Sequence, residues 1–220
     1  MIAKNIVSAN INPLLTTDSG KKALDCLAFY HLRHLPLVEH GRLVGLLSED
    51  DFLSKSDLDN PIGSHDWSSL ASPAVLENDH LFDVMRVMTE HQLTAVPVAT
   101  ADGTYIGVVT QEELLKKIAQ ISSFADPGSI LEIIVHKRDY SLAEICRLVE
   151  SEGASVLSSY ITSVPNAPTT EISLKINRQA LQSIVATLER YDYEVKGFAE
   201  PTYHDALQER YDALLSYLNV

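Results

Sequence analysis

The chain has 220 residues, 45% of them hydrophobic and 21% charged, with a formal net charge of -13 from 17 basic and 30 acidic groups. That length and balance describe an ordinary folded chain with room for more than one domain, and exclude a disordered tail. Nucleic acid and anionic lipid are both held by dense Lys/Arg contacts, so a surface this acidic excludes them as general partners; only a local basic pocket would hold a phosphate.

The acidity is spread rather than blocked: residues 1–126 hold 9 basic and 17 acidic groups, the remainder 8 and 13. The opening MIAKNIVSANINPLL breaks its apolar run with Asn, Ser and Pro, and no later run approaches about 18 apolar residues. The expectation is a cytoplasmic protein without membrane insertion. Cys26 and Cys146 each fall in an apolar helical pattern in separate expected domains, which predicts reduced, buried thiols rather than a disulfide or a metal site.

In chain order, Ser19–His31 is predicted as a helix with Ala23, Leu24, Leu27 and Ala28 on its core face. A strand Leu35–Val38 turns through Glu39, His40 and Gly41 into a strand Leu43–Leu47. Residues 54–72 are polar, carry Pro61 and Gly63, and read as a linker anchored by Trp67. A helix near Leu81–His91, a hairpin turned at Asp102-Gly103 and a helix Glu112–Ile121 follow.

The stretch RHLPLVEHGRLVGLLSEDD (33–51) recurs as TAVPVATADGTYIGVVTQEE (94–113), aligning Pro36 with Pro97, Gly45 with Gly107 and Ser48 with Thr110. Each copy is too short to bury a core unaided, so the two should pack together as repeats spanning 1–59 and 60–125. This pattern of hydrophobic-Pro-hydrophobic, a Gly turn and Gly-hydrophobic-hydrophobic-Ser/Thr-x-x-acidic resembles the CBS domain, which commonly occurs as a tandem pair, the Bateman module.

The resemblance implies a regulatory adenine-nucleotide site. In nucleotide-binding CBS domains the acid of the Ser/Thr-x-x-acidic step holds the ribose hydroxyls, and basic residues before the proline contact phosphate. Carried over, these roles fall on Asp51 with Ser48, on Arg33 and His34, and on the Leu35-Pro36 strand beside adenine. A carboxylate suits a diol because it accepts two hydrogen bonds at once, and the Arg fork matches phosphate oxygens. The plainer reading of Ser48-x-x-Asp51 is a capping box, for which Thr110-x-x-Glu113 has the more usual acid. In the second repeat Thr94 and Ala95 replace Arg33 and His34, so Thr94, Thr110 and Glu113 make the weaker second site, and one competent site is expected in the first. The ligands implied are AMP, ADP, ATP or S-adenosylmethionine. His31, His34 and His40 are kept apart by strand and turn, so no metal site is expected. No Walker loop, GxSxG or HExxH occurs, and no catalytic constellation is visible.

After Asp126-Pro127-Gly128 the pattern changes to strand Ile130–His136, helix Ser141–Glu152 opened by a Ser141-x-x-Glu144 box, strands Ser155–Thr162 and Glu171–Ile176, helix Arg178–Arg190 and strand Tyr193–Phe198. The order βαββαβ is ferredoxin-like. With the EGASV turn at 152–156, residues 129–199 resemble an ACT domain, a regulatory module that often binds amino acids. The loop Lys137-Arg138-Asp139-Tyr140 lacks the glycine common in such pockets; Arg138 or Asp139 would have to meet a zwitterion, and a dimerising or interdomain sheet is the favoured role. From Pro201, Leu207, Tyr211, Leu214 and Leu218 make a seven-residue stripe on a docking helix, 201–220. The expected architecture is therefore α/β and α+β: a tandem CBS pair, then a ferredoxin-like ACT-like domain. The combination is similar to CBS-plus-ACT proteins grouped with acetoin utilisation. It implies a homodimer acting on an unidentified enzyme or transporter, or else a ligand-free scaffold.

Overall fold

Apolar runs broken by turn residues fold each repeat around one hairpin. In the first repeat the elements are β1 (Leu14–Leu15), α1 (Gly20–Tyr30), β2 (His34–Glu39), β3 (Arg42–Ser48) and α2 (Glu49–Leu53); in the second they are β4 (Val75–Leu76), α3 (Leu81–Glu90), β5 (Ala95–Ala99), β6 (Tyr105–Thr110) and α4 (Gln111–Ile121). The computed structural model describes residues 1–53, 57–65, 67, 70, 72–121, 123, 126–163, 165 and 167–199, and the helix expected over 201–220 lies outside the described residues. The chain divides into a unit Met1–Ile118 and a unit Ala119–Val220.

In the first unit each repeat forms a three-stranded sheet of the same order, β1-β2-β3 and β4-β5-β6, with the short leading strand parallel and the hairpin antiparallel. Glu39 pairs with Arg42, leaving His40 (φ 48°) and Gly41 (φ 78°) as a two-residue turn with both residues left-handed, the geometry that matches strand twist. The second hairpin is longer. There the Asp102 carboxylate accepts from the Thr100 and Thr104 hydroxyls. The two hairpin ends bond to each other, Leu43 N–H to Gly103 O (3.0 Å) and Tyr105 N–H to Gly41 O (2.9 Å).

Each repeat borrows from the segment that precedes the other. Ala3 and Ile6, at the chain's start, are buried in the second repeat's core with Val75, Val84, Met88, Val96 and Val109. Ile62 is buried in the first repeat's core with Leu14, Leu27, Leu35, Leu47 and Phe52. Backbone bonds fix both crossings: Ala3 N–H to Asp79 O (2.9 Å), and Ile62 N–H to Asp18 O (2.7 Å). The aligned glycines make room for them, since a Cβ on Gly107 would lie 2.2 Å from Val7 Cγ1 and one on Gly45 2.3 Å from Leu70 Cδ2. Trp67 does anchor its stretch, its Nε1–H donating to Ile62 O at 2.7 Å.

The second unit contains β7 (Ser129–His136), α5 (Leu142–Ser151), β8 (Val156–Thr162), β9 (Thr169–Ile176), α6 (Gln182–Arg190) and β10 (Glu194–Ala199). Its sheet runs β10-β7-β9-β8, all antiparallel, which is the ferredoxin-like arrangement. Leu131, Ile133, Ile172 and Leu174 on one face of the sheet are buried with Ile145, Leu148, Ile184 and Leu188 of the helices.

Four local expectations need correction. Ala28 is exposed rather than on the core face of α1, which buries Ala23 and Leu27. Cys26 and Cys146 are free but only half-buried; burial raises both thiol pKa values. Helix α6 starts at Gln182 rather than Arg178, because Asn177 Oδ1 accepts Ser155 N–H (2.7 Å) and Arg178 donates to Glu152 O (2.9 Å), holding that stretch to the neighbouring loop. Ser141 caps α5 by accepting Glu144 N–H at 3.3 Å, but Glu144 turns to the Tyr193 hydroxyl at 3.4 Å instead of closing the box.

Candidate functional site: two clefts in the repeat pair

The first cleft forms where β2 begins beside the end of β3, His34 pairing with Ser48. Arg33, His34, Ser48, Glu49, Asp50, His91 and Gln92 enclose a volume of 420 Å³. Arg33, His34 and Ser48 are thus brought together. Leu35 and Pro36 are not, because both are buried within the sheet, Leu35 in the repeat's core. Asp51 belongs to the cap: its Oδ2 accepts both Ser48 N–H (2.7 Å) and Ser48 Oγ–H (2.6 Å), while Asp51 N–H donates to Ser48 Oγ (3.3 Å). That is a closed capping box made with Asp. Glu49 and Asp50 give this cleft a carboxylate rim that opposes phosphate, with Arg33 as its cation.

The second cleft is its counterpart. Thr94, Thr110 and Glu113 all line one volume of 460 Å³ together with Asn10, Ile11, Phe29, Tyr30, Glu112 and Lys116. Thr110 Oγ1 accepts Glu113 N–H at 3.2 Å, capping an eleven-residue helix. The Glu113 carboxylate lies 3.5 Å from Lys116 Nζ, which also meets Glu112 at 2.7 Å; that bond raises the Lys116 pKa and lowers that of Glu112. Phe29 is 77% exposed and packs edge-on to Tyr30 at 5.2 Å. The cleft therefore combines an aromatic wall, a capping hydroxyl, the two carboxylates of Glu112 and Glu113, and the ammonium group with which both pair.

Arg33 and His34 meet Thr94. Arg33 N–H donates to Thr94 Oγ1 (3.0 Å), Thr94 N–H donates to His34 Nδ1 (3.3 Å), and the Thr94 hydroxyl lies 3.2 Å from the same nitrogen. Burial, and then the neighbouring Arg33 charge, lower the His34 pKa below the ordinary histidine value, with Asp51 and Asp50 opposing.

In the second unit, Asp139 lines a 430 Å³ hollow with His136, Glu144, Tyr193 and Glu194, while Arg138 is exposed outside it. Among the described residues no Lys or Arg lines that hollow, while Asp139, Glu144, Asp192 and Glu194 do, so the hollow is acidic with His136 as its one basic group. Among the described residues, no group of three His, Cys, Asp or Glu side chains is placed to hold a metal ion, and no helix is long and apolar enough to cross a membrane.

Sequence reasoning missed the wall of the second cleft. Phe29 and Tyr30 lie at the end of a helix whose stripe is core, and Asn10 and Ile11 belong to a segment without period. A large exposed aromatic off that stripe was the available signal.

Residues 3–57 and 69–120 match the CBS domain model. Those two segments form a tandem CBS pair. Homoserine O-acetyltransferase of Methanococcus vannielii is 22% identical over 121 residues, 53% of this chain and 25% of that enzyme. Inosine-5'-monophosphate dehydrogenase of Streptococcus pyogenes is 27% identical over 113 residues, 49% of this chain and 23% of that enzyme. The chain thus spans about a quarter of the length of these curated relatives. Among solved structures, a CBS domain pair/ACT domain protein from Thermotoga maritima is 21% identical, covering 55% of this chain and 98% of that one with a TM-score of 0.48. CBSX2, solved in complex with AMP, is 24% identical, covering 55% of this chain and 97% of that one with a TM-score of 0.46.

Proposed function

We propose that this protein is a cytoplasmic regulatory sensor whose CBS pair binds an adenine nucleotide or S-adenosylmethionine and passes the change to a partner enzyme or transporter. The observation that carries this reading is the second cleft, where Thr94, Thr110 and Glu113 share one volume with Phe29 and Tyr30. A purine stacks on an aromatic wall, a carboxylate accepts from both ribose hydroxyls, and Lys116 together with the α4 N-terminus favours a phosphate, against the opposing charges of Glu112 and Glu113 with which Lys116 pairs. Adenine lies against Ile11, Phe29 and Tyr30 in this reading; Glu113 and Thr110 take the ribose. Adopting the second cleft moves the weight of the proposal away from the first repeat, where the Asp51 carboxylate is engaged by Ser48.

The first cleft remains a second reading because Arg33, its planar cation, stands beside Ser48 and His34. Titration calorimetry with AMP and S-adenosylmethionine separates the two. Glu113→Ala and Lys116→Ala should each weaken binding about tenfold or more, the loss of one charge-assisted hydrogen bond, while Arg33→Ala leaves it unchanged. The reverse pattern supports the first cleft. No binding by the unaltered protein leaves the ligand-free scaffold. The ferredoxin-like unit is read as ACT-like, with dimerisation rather than amino-acid capture as its role, since its hollow is acid-lined.

A further inference from the structure

The contact between His34 and Thr94 joins the two clefts, since Thr94 lines the second while Arg33 and His34 line the first. A backbone N–H can only donate, so the nitrogen that receives Thr94 N–H carries no proton: His34 is neutral, with its hydrogen on Nε2. The Thr94 hydroxyl accepts Arg33 N–H and has its own proton left for the same Nδ1. Repeat symmetry does not duplicate this junction. Thr94 stands where the first repeat has Arg33, and the counterpart of His34 is Ala95, whose side chain has no acceptor.

We propose that a proton on His34 in the first cleft is transmitted through Thr94 to the second, making the pair pH-responsive and coupling its clefts. Protonated Nδ1 would face the Thr94 N–H donor to donor, so that bond breaks, while the contact with the hydroxyl inverts: Nδ1–H donates to Thr94 Oγ1, and the hydroxyl proton is released to turn to a ligand. Conversely, a ligand oxygen that takes the Thr94 hydroxyl proton removes a bond from neutral His34 and eases its protonation. The two effects are reciprocal, so lower pH tightens binding at the second cleft and ligand raises the His34 midpoint. The groups facing His34 are Arg33 immediately before β2, Asp50 and Asp51 on α2, and Glu49 and His91 around the cleft. Burial and Arg33 keep the neutral form dominant at neutral pH; the acids pull the other way.

The ligand half of this proposal rests on the nucleotide reading of the second cleft; the proton half does not. Nitrogen-15 NMR of the full chain, from pH 8 to 5, tests the latter alone. The His34 Nδ1 should show an unprotonated shift at high pH, with the Arg33, Thr94, Thr110 and Gln111 amides moving at the His34 midpoint. His91→Gln should leave that midpoint in place. His34→Asn, whose Oδ1 stays an acceptor and does not titrate, should abolish the movement, and Thr94→Val, which keeps the N–H, should stop it before Thr110. Amides that ignore the His34 midpoint, or still move in H34N, overturn the proposal. Adding AMP should then raise the His34 proton affinity about fivefold, the low end of ordinary coupling. Binding without that rise overturns the coupling but not the nucleotide reading, whereas absence of binding overturns the nucleotide reading while the amide response still decides the transmission.

Discussion

Asp51 and Glu113 occupy matching positions in the repeats yet do different work. Asp51 closes a capping box on Ser48, whereas Glu113 reaches an exposed lysine while the Thr110 hydroxyl accepts its N–H and caps the helix. Asp51→Ala should therefore lower stability by about 1 kcal/mol, and Glu113→Ala by less than about 0.5 kcal/mol, read as a shift in urea midpoint at constant m-value. Equal losses would contradict the assignment. His34 adds a pH dependence of known sign. Its folded pKa is depressed, so between that value and the ordinary one the unfolded chain binds the extra proton. Stability is then full above about pH 6.5 and falls as pH drops through the folded midpoint; His34→Asn should flatten that part of the curve. Much of this was legible as residue type and spacing, but side-chain direction was not. His80, which no Ser/Thr rule selects, caps α3 by accepting Phe82 N–H at 3.3 Å while Asp83 accepts His80 N–H at 3.2 Å.

At the scale of elements, the crossings of Ala3–Ile6 and Ile62 into opposite repeats make sequence-distant segments interdependent. Ile6→Ala should destabilise the second repeat by about 2–5 kcal/mol, as a buried large-to-small change does, although the residue precedes the first. Gly107→Ala should cost about 1–3 kcal/mol by overpacking against Val7. Circular dichroism in urea checks both, and an unchanged midpoint for either would mean that the N-terminal segment does not complete that core. The hairpins were legible because Gly41 and Gly103 mark their turns, and the βαββαβ order because each run kept its period. The crossings were not. Short segments without period carry no signal of which sheet they will meet, and the start of α6 was displaced by Asn177 and Arg178 bonding to a loop more than twenty residues away.

At the scale of the whole molecule, a CBS pair and a ferredoxin-like unit on a chain of net charge -13 fit a regulatory module better than a nucleic-acid or membrane-surface binder. Light scattering at tens of micromolar should report a homodimer, and removal of residues 202–220 should lower the melting temperature or the mass, because the stripe at Leu207, Tyr211, Leu214 and Leu218 needs a surface to cover it. The central claim is ligand binding by the repeat pair, and a thermal-shift panel of AMP, ADP, ATP and S-adenosylmethionine tests it most directly. A ligand at about 100 times its dissociation constant adds roughly 2.7 kcal/mol, about 5 to 10 °C in melting temperature for a chain of this size. At least one of the four should produce that shift, and Lys116→Ala should cut it to about half or less, as a tenfold or greater loss of affinity requires. Four flat responses with the protein folded would contradict the sensor account and leave the pair a scaffold.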